Sequence, residues 1–131
     1  MSFLSLPGAG EEATGTLSQA NLVAMFTVPV TLIAAPGAGK LLIVDEIELF
    51  HDYATAAYSG GGDVSIQYAT SAAPIQVLDV AVITDTADAN FLLKPSVSYT
   101  SSASSSSATD LSTSLNKAVQ ITNAVGVFAD G

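Results

Sequence analysis

Few side chains in this sequence are able to carry chemistry. Its 131 residues include no Cys, a single histidine (His51) and three cationic side chains (Lys40, Lys94 and Lys117), against twelve carboxylates. Catalysis of nearly every kind needs charged or nucleophilic side chains that converge on a pocket. The composition therefore predicts a protein that is not an enzyme and that holds no cofactor.

The segment from Gly37 to Lys40 imitates the end of a phosphate-binding loop. Such a loop needs another glycine at position 34 and a Ser or Thr after the lysine, but the chain has Ala34 and Leu41 there. The acidic strand-like segment 41–46, which imitates a metal-holding strand, follows with no room for an intervening helix. We therefore expect a plain turn, followed by a strand with solvent-facing acids.

His51 and Asp52 are adjacent, and a His–Asp pair can orient a general base. The surrounding sequence shows no motif of a nucleophilic Ser or Cys. A two-histidine metal site within one chain is excluded because His51 is the single histidine. We expect a loop or interface histidine here and predict no catalytic residue.

Three aspartates, Asp79, Asp85 and Asp88, lie close in sequence with Thr84 and offer oxygen ligands for a hard cation. Their spacing lacks the dense ligand run and terminal glutamate of an EF-hand. A solvated acidic loop is the expectation, with no metal bound.

Four tyrosines could line a glycan-binding surface, although packing in the core or at an interface explains scattered tyrosines as well. They are Tyr53, Tyr58, Tyr68 and Tyr99.

The overall composition is that of one folded domain with an acidic surface. Apolar residues make up 49% of the chain and the net charge is −9. So acidic a chain is a poor partner for nucleic acid or for anionic membranes, which attract Lys and Arg. No apolar run reaches the roughly 18 residues that a membrane span needs, and the first residues do not resemble a signal peptide.

Short strand patterns separated by Gly, Pro and Ser predict an all-β fold, either a β-sandwich or a jelly roll. Residues 1–16 show no period and are predicted to be an extended N-terminal arm, with the sandwich domain at 17–131. Phe3, Leu4 and Leu6 are the candidate interface residues of that arm. A helical turn is predicted at 18–25, with Thr16 and Gln19 as a weak capping box. Strands are predicted at 26–33, 40–50, 64–68, 119–122 and 125–128, and either a strand or a helix at 75–83. A turn is predicted at 36–39, and loops are predicted at 59–62 and 101–107.

The alternation within 40–50 places Ile43, Ile47 and Leu49 on one face, and we expect these three side chains to be buried together. Pro29 cannot donate to a ladder, so its strand is expected at a sheet edge or bulge.

Between Leu22 and Tyr58 the chain resembles small structural proteins of tailed bacteriophages, the capsid decoration or cement proteins. The residues that carry the resemblance run from Val28 to Glu46 (VPVTLIAAPGAGKLLIVDE) and from Tyr53 to Tyr58 (YATAAY). The resemblance does not extend to a last strand rich in Val and Arg or Lys. It implies a jelly-roll-like domain that assembles as homotrimers over local threefold junctions of the major capsid protein.

The sequence thus leads to the expectation of a structural virion protein on the outer capsid surface. The alternative is a tail- or fibre-associated sandwich that binds a glycan or a host surface, and a small enzyme is the third reading. Density for the protein at shell sites of purified particles would indicate the capsid protein, and density at tail or fibre sites would indicate the attachment module. A screen for nucleotide or metal binding would reveal an enzyme.

Overall fold

Short strands dominate the protein. The computed structural model describes residues 2–4, 12–70, 74–95, 98–100 and 108–129. Within them the strands are β1 (Ser2–Leu4), β2 (Thr14–Thr16), β3 (Val30–Ile33), β4 (Ile47–His51), β5 (Ser59–Gly60), β6 (Val64–Tyr68), β7 (Pro74–Leu78), β8 (Ala89–Leu93), β9 (Ser98–Thr100), β10 (Ala108–Asp110), β11 (Val119–Asn123) and β12 (Phe128–Ala129). The helices are α1 (Gln19–Ala24), α2 (Ala81–Thr84) and α3 (Leu111–Ser114).

Two four-stranded antiparallel sheets form the body of the fold. One has the strand order β2-β1-β4-β8 and the other the order β3-β11-β6-β7. Strands β5 and β12 form a small antiparallel pair, and β9 and β10 a parallel one. The prediction of an all-β protein is confirmed.

The N-terminal strand β1 lies inside the first sheet. Phe3 is opposite Gly15 of β2 on one side and opposite Leu49 of β4 on the other. The predicted arm, residues 1–16, therefore contributes two strands to this sheet. Of the candidate arm residues, Phe3 and Leu4 belong to β1, whereas Leu6 lies outside the described residues.

Three strands supply the centre of the core by simple alternation. In β4, β6 and β11 every second residue is buried and those between are half-buried. The predicted alternation of 64–68 is therefore confirmed, since period two places one face of a strand against the core. The buried apolar residues of these strands are Ile47, Leu49, Val64, Ile66, Tyr68, Val119 and Ile121.

The predicted strand at 40–50 is wrong in its first half. Only β4 is a strand, and Ile43 is 62% exposed instead of buried with Ile47 and Leu49. Among the described residues, the pairing partners β1 and β8 reach no further back than Ile47. Within segment 41–46 the Leu42 carbonyl accepts a hydrogen bond from the Tyr68 hydroxyl, and Glu46 forms an ion pair with Lys94 at 3.3 Å.

Helix α1 is confirmed, but its cap differs from the predicted one. The Ser18 hydroxyl accepts a hydrogen bond from the Asn21 amide at 3.2 Å, and the Asn21 side chain accepts one from the Ser18 amide at 3.0 Å. This is a reciprocal capping box. Thr16 and Gln19 do not form it, because Thr16 is the last residue of β2.

The strand predicted at 26–33 begins only at Val30, immediately after Pro29, and residues 25–28 form a turn on the end of α1. Strand β3 is the edge strand of its sheet, as the proline predicts. The ambiguous segment 75–83 divides into β7 and α2. The serine loop predicted at 101–107 lies outside the described residues.

The glycines at 60–62 form a turn beside β12, rather than the loop tip predicted for 59–62. All three have positive φ, which L side chains rarely adopt. Asn123 is buried and its amide donates to the carbonyl oxygens of Gly61, at 2.7 Å, and of Gly126. Side-chain hydrogen bonding and ladder pairing with Phe128 thus fix this turn, which we call the glycine turn.

In the described part of the chain no helix is long and apolar enough to cross a membrane.

Candidate functional site

His51 is the last residue of β4 and is only 5% exposed. Of the two predicted places, a loop or an interface, the loop is wrong, because the alternation of β4 continues to His51 and places it on the same face as Ile47 and Leu49. The interface stays a prediction. Its Nδ1 atom has no hydrogen-bond partner among the described residues. A buried polar atom left unpaired costs about 1–3 kcal/mol, so this atom marks a place for functional interpretation.

A small cavity opens beside this histidine, and we call it the His51 cavity. Its volume is about 210 Å³. The first residue of α1, the end of β4 and the loop that follows β4 form its walls. The lining residues are Gln19, His51, Asp52, Tyr53, Ala54, Thr55, Ala56 and Tyr58.

The loop that forms most of the cavity is anchored near both of its ends. The Tyr53 amide donates a 2.9 Å hydrogen bond to Oδ1 of Asp88, which lies just before β8. The ring of Tyr58 meets the buried ring of Phe128 edge-on, with centroids 6.4 Å apart and an angle of 75°. The cavity is therefore held in shape before any ligand arrives.

The lining of the His51 cavity is polar, with one carboxylate, Asp52, and no Lys or Arg. Its hydroxyls come from Thr55 and two tyrosines, and it contains neither Ser nor Cys. Such a lining is equipped to hydrogen-bond a small molecule. It lacks a nucleophile that the histidine could activate in the manner of a catalytic triad.

The segment from Gly37 to Lys40 forms a turn, which confirms the sequence prediction. The Lys40 amide donates to the Gly37 carbonyl at 3.2 Å, and the Gly37 amide donates to Oδ1 of Asn116 at 3.0 Å. A phosphate loop would need these amides to point at the ligand and a helix to follow. Here the amides have protein acceptors, and the residues after Lys40 are not helical.

The three aspartates named from the sequence each accept a backbone hydrogen bond. Asp79 accepts from Ala81 at 2.8 Å and Asp85 from Thr86 at 2.7 Å, while Asp88 anchors the cavity loop. Within the described residues no group of three or more His, Cys, Asp and Glu side chains is arranged to hold a metal ion.

The four tyrosines do not form one surface. Tyr68 is fully buried in β6 and donates to the Leu42 carbonyl, so it is part of the core. Tyr53 and Tyr58 both line the His51 cavity. Tyr99 lies in β9. The structure therefore brings Tyr53 and Tyr58 together and separates Tyr68 from them by placing it in the core.

A second feature of interest is a set of four exposed apolar side chains on two turns that a hydrogen bond connects, and we call this set the apolar end. The turn after α1 and the turn between β11 and β12 supply it. A 2.9 Å hydrogen bond from the Thr122 hydroxyl to the Met25 carbonyl ties these two segments together. The exposed side chains are Phe26 (41%), Val28 (63%), Val125 (75%) and Val127 (57%).

No protein-family model, curated protein or solved structure matches this chain. His51, Asp52, Tyr53 and Tyr58 are neighbours that the sequence already singled out. Gln19 was given only a capping role, because it reaches the cavity through the packing of α1. A signal for His51 was present, since two further steps of the alternation from Ile47 reach it.

Proposed function

We propose that this chain is a non-enzymatic structural protein of a bacteriophage virion, which decorates and stabilises the outer surface of the capsid. The observation that carries the proposal is the apolar end, where four exposed apolar side chains lie on two connected turns. Exposed apolar side chains grouped on neighbouring turns are suited to contact with another protein. The resemblance of Val28–Glu46 and Tyr53–Tyr58 to decoration proteins supports the same reading.

The charge of the chain agrees with a position outside the shell. A net charge of −9 disfavours contact with DNA, so the partner we propose is the major capsid protein and not the genome. Neither nucleic acid nor membrane is a proposed partner.

The jelly-roll-like arrangement, the homotrimer and the N-terminal arm belong to this proposal. Two four-stranded antiparallel sheets supply the layers of a sandwich. Strand β1 is three residues long and lies between β2 and β4, so a copy of β1 from a neighbouring subunit would fit the same place. Exchange of β1 would make residues 1–16 an arm that links subunits of a trimer.

The test uses particles that lack the protein, to which purified chain is added back. We expect electron microscopy to show trimeric density at threefold positions of the shell, and light scattering of the pure protein to show trimers. A double variant, Val28→Ser with Val127→Ser, should reduce shell occupancy while remaining folded. Ile43→Ser is the matched control, since Ile43 is as exposed as Val28 but lies outside the apolar end.

Three results would overturn the proposal. Density confined to the tail or fibres would favour the attachment module that the sequence left open. Equal loss of occupancy in the control would remove the role of the apolar end. Monomers at high concentration, together with no trimeric density on particles, would remove the trimer.

A further inference from the structure

We propose that the apolar end binds a cationic surface, on which Lys or Arg side chains of the major capsid protein lie beside apolar ones. The inference rests on the proposed function, because it gives the chemistry of the partner at the same site. Two carboxylates carry it, Asp63 and Asp79, which a short series of contacts connects to the apolar end.

Asp63 is connected to the apolar end through the glycine turn. A Cβ atom placed on Gly62 would lie 2.4 Å from Cγ2 of Val125, so the backbone of Gly62 packs directly against that side chain. Asp63 is the next residue and is exposed. Its carboxylate therefore lies one residue away from a contact with Val125, which at 75% is the most exposed side chain of the apolar end.

Asp79 lies close to Asp63. Oδ1 of Asp63 accepts a 3.1 Å hydrogen bond from the Val80 amide, and Oδ1 of Asp79 accepts a 2.8 Å hydrogen bond from the Ala81 amide. Two successive backbone amides thus hold the two carboxylates near each other, and the second oxygen of each has no hydrogen bond within the described residues. Both aspartates are exposed, so a partner can reach those oxygens.

Lys117 is too distant to neutralise this pair of carboxylates. Its ammonium group donates to Oγ1 of Thr70 at 3.2 Å, just after the end of β6, whereas Asp63 directly precedes β6. A strand of that length spans roughly 17 Å. This is about twice the distance of 8 Å over which salt screens charges at physiological ionic strength.

The other two lysines also lie beyond the far end of β6. The Lys40 carbonyl accepts a 2.7 Å hydrogen bond from the Asn116 amide, ahead of β11, which begins opposite the last residue of β6. Lys94 forms its ion pair with Glu46 in segment 41–46, to which the hydroxyl of Tyr68, the last residue of β6, is hydrogen-bonded. No lysine of the chain is therefore placed to balance the two aspartates, and a cationic partner surface would do so.

A second copy of this chain suits the surface less well than such a partner. The end that carries the lysines also carries Asp45, Glu46 and Glu48, so the opposite charges there largely cancel. Two copies with a net charge of −9 each also repel one another. A capsid surface with local positive charge avoids both costs, and complementary potentials speed the encounter and fix its orientation.

The experiment measures binding of the purified full chain to particles that lack it, as an association rate and a Kd between about 0.05 and 0.5 M NaCl. We expect slower association and weaker binding as salt rises, because ions screen the contact. The double variant Asp63→Asn with Asp79→Asn keeps the oxygens that accept from the backbone but removes both charges. It should raise the Kd about three- to thirtyfold at the lowest salt and flatten the salt dependence.

The matched control is Glu12→Gln with Asp45→Asn. It removes the same charge from two exposed residues near the beginning of β4, far from the apolar end. Its Kd should stay within about twofold of that of the original chain.

The possible failures are distinguishable. If the chain binds the shell through the apolar end but the Asp63 and Asp79 variant binds like the control, this inference is wrong and the proposed function stands. If the original chain does not bind the shell, both are wrong. If the same variant changes only self-association in light scattering, the surface belongs to a second copy and the cationic capsid surface is ruled out.

Discussion

The glycine turn allows a direct test of packing in this fold. Gly61 has φ +76°, and a Cβ atom placed on it would lie 2.3–2.4 Å from three ring carbons of Phe128. The Phe128 ring is 1% exposed and packs against Tyr58, so it has little freedom to move. Gly61→Ala should therefore destabilise the protein through both backbone strain and a steric clash.

Gly39 separates the two contributions. Its φ is +74°, nearly the same as that of Gly61, but nothing lies within 4 Å of a Cβ placed on it. Gly39→Ala should cost only the backbone strain, about 1–2 kcal/mol. Gly61→Ala should cost about 1–3 kcal/mol more, the usual penalty of overpacking.

Thermal unfolding by circular dichroism measures the difference. For a domain of this size, an additional 1–3 kcal/mol corresponds to a Tm lower by roughly 4–12 °C. Gly61→Ala should lower the Tm less when it is made in a Phe128→Leu background than in the original sequence, because the smaller leucine side chain leaves room for the new Cβ atom. The steric clash would be refuted if Gly61→Ala and Gly39→Ala had equal Tm values and if Gly61→Ala lowered the Tm equally with and without Phe128→Leu.

Three further predictions follow from the described contacts. Ile47→Ala should lower the free energy of unfolding by about 2–5 kcal/mol in urea titrations, because Ile47 is buried. Ile43→Ala should lower it by no more than about 0.5 kcal/mol, because Ile43 is exposed. Equal losses in the two variants would contradict this difference in burial. Lys40→Ala should change the free energy of unfolding by no more than about 0.5 kcal/mol. Calorimetry should detect no ATP binding by either the original protein or the variant. ATP binding that Lys40→Ala abolishes would show that this turn is a phosphate-binding loop after all. Deletion of residues 1–10 should lower the free energy of unfolding by at least about 1 kcal/mol, because it removes β1, which pairs with both β2 and β4. An unchanged Tm would show instead that the segment is a free arm.

Patterns that depend on neighbours in sequence were readable without the structure. The alternation of 64–68, the turn before Lys40 and the helix after Ser18 follow from period two, from glycine and from local capping. Each of these elements depends on interactions among a few consecutive residues, so contacts with distant residues did not change it.

Features that depend on distant partners were not readable. Residues 41–44 are all apolar, but among the described residues strands β1 and β8 pair only with 47–51. The His51 cavity is a stronger case, because Gln19 and the loop after β4 meet only when α1 packs near the end of that strand. No local pattern records such a meeting.

The position of β11 has a consequence for biosynthesis. In its sheet β11 separates β3 from β6, pairing Val119 with Ile33 on one side and with Tyr68 on the other, yet it is the last of the four strands to leave the ribosome. While it is still being translated, β3 has no neighbour in that sheet and one edge of β6 is open. Closure of the sheet is thus a late and non-local step, which slows folding and leaves strand edges unpaired in the nascent chain until β11 has been made.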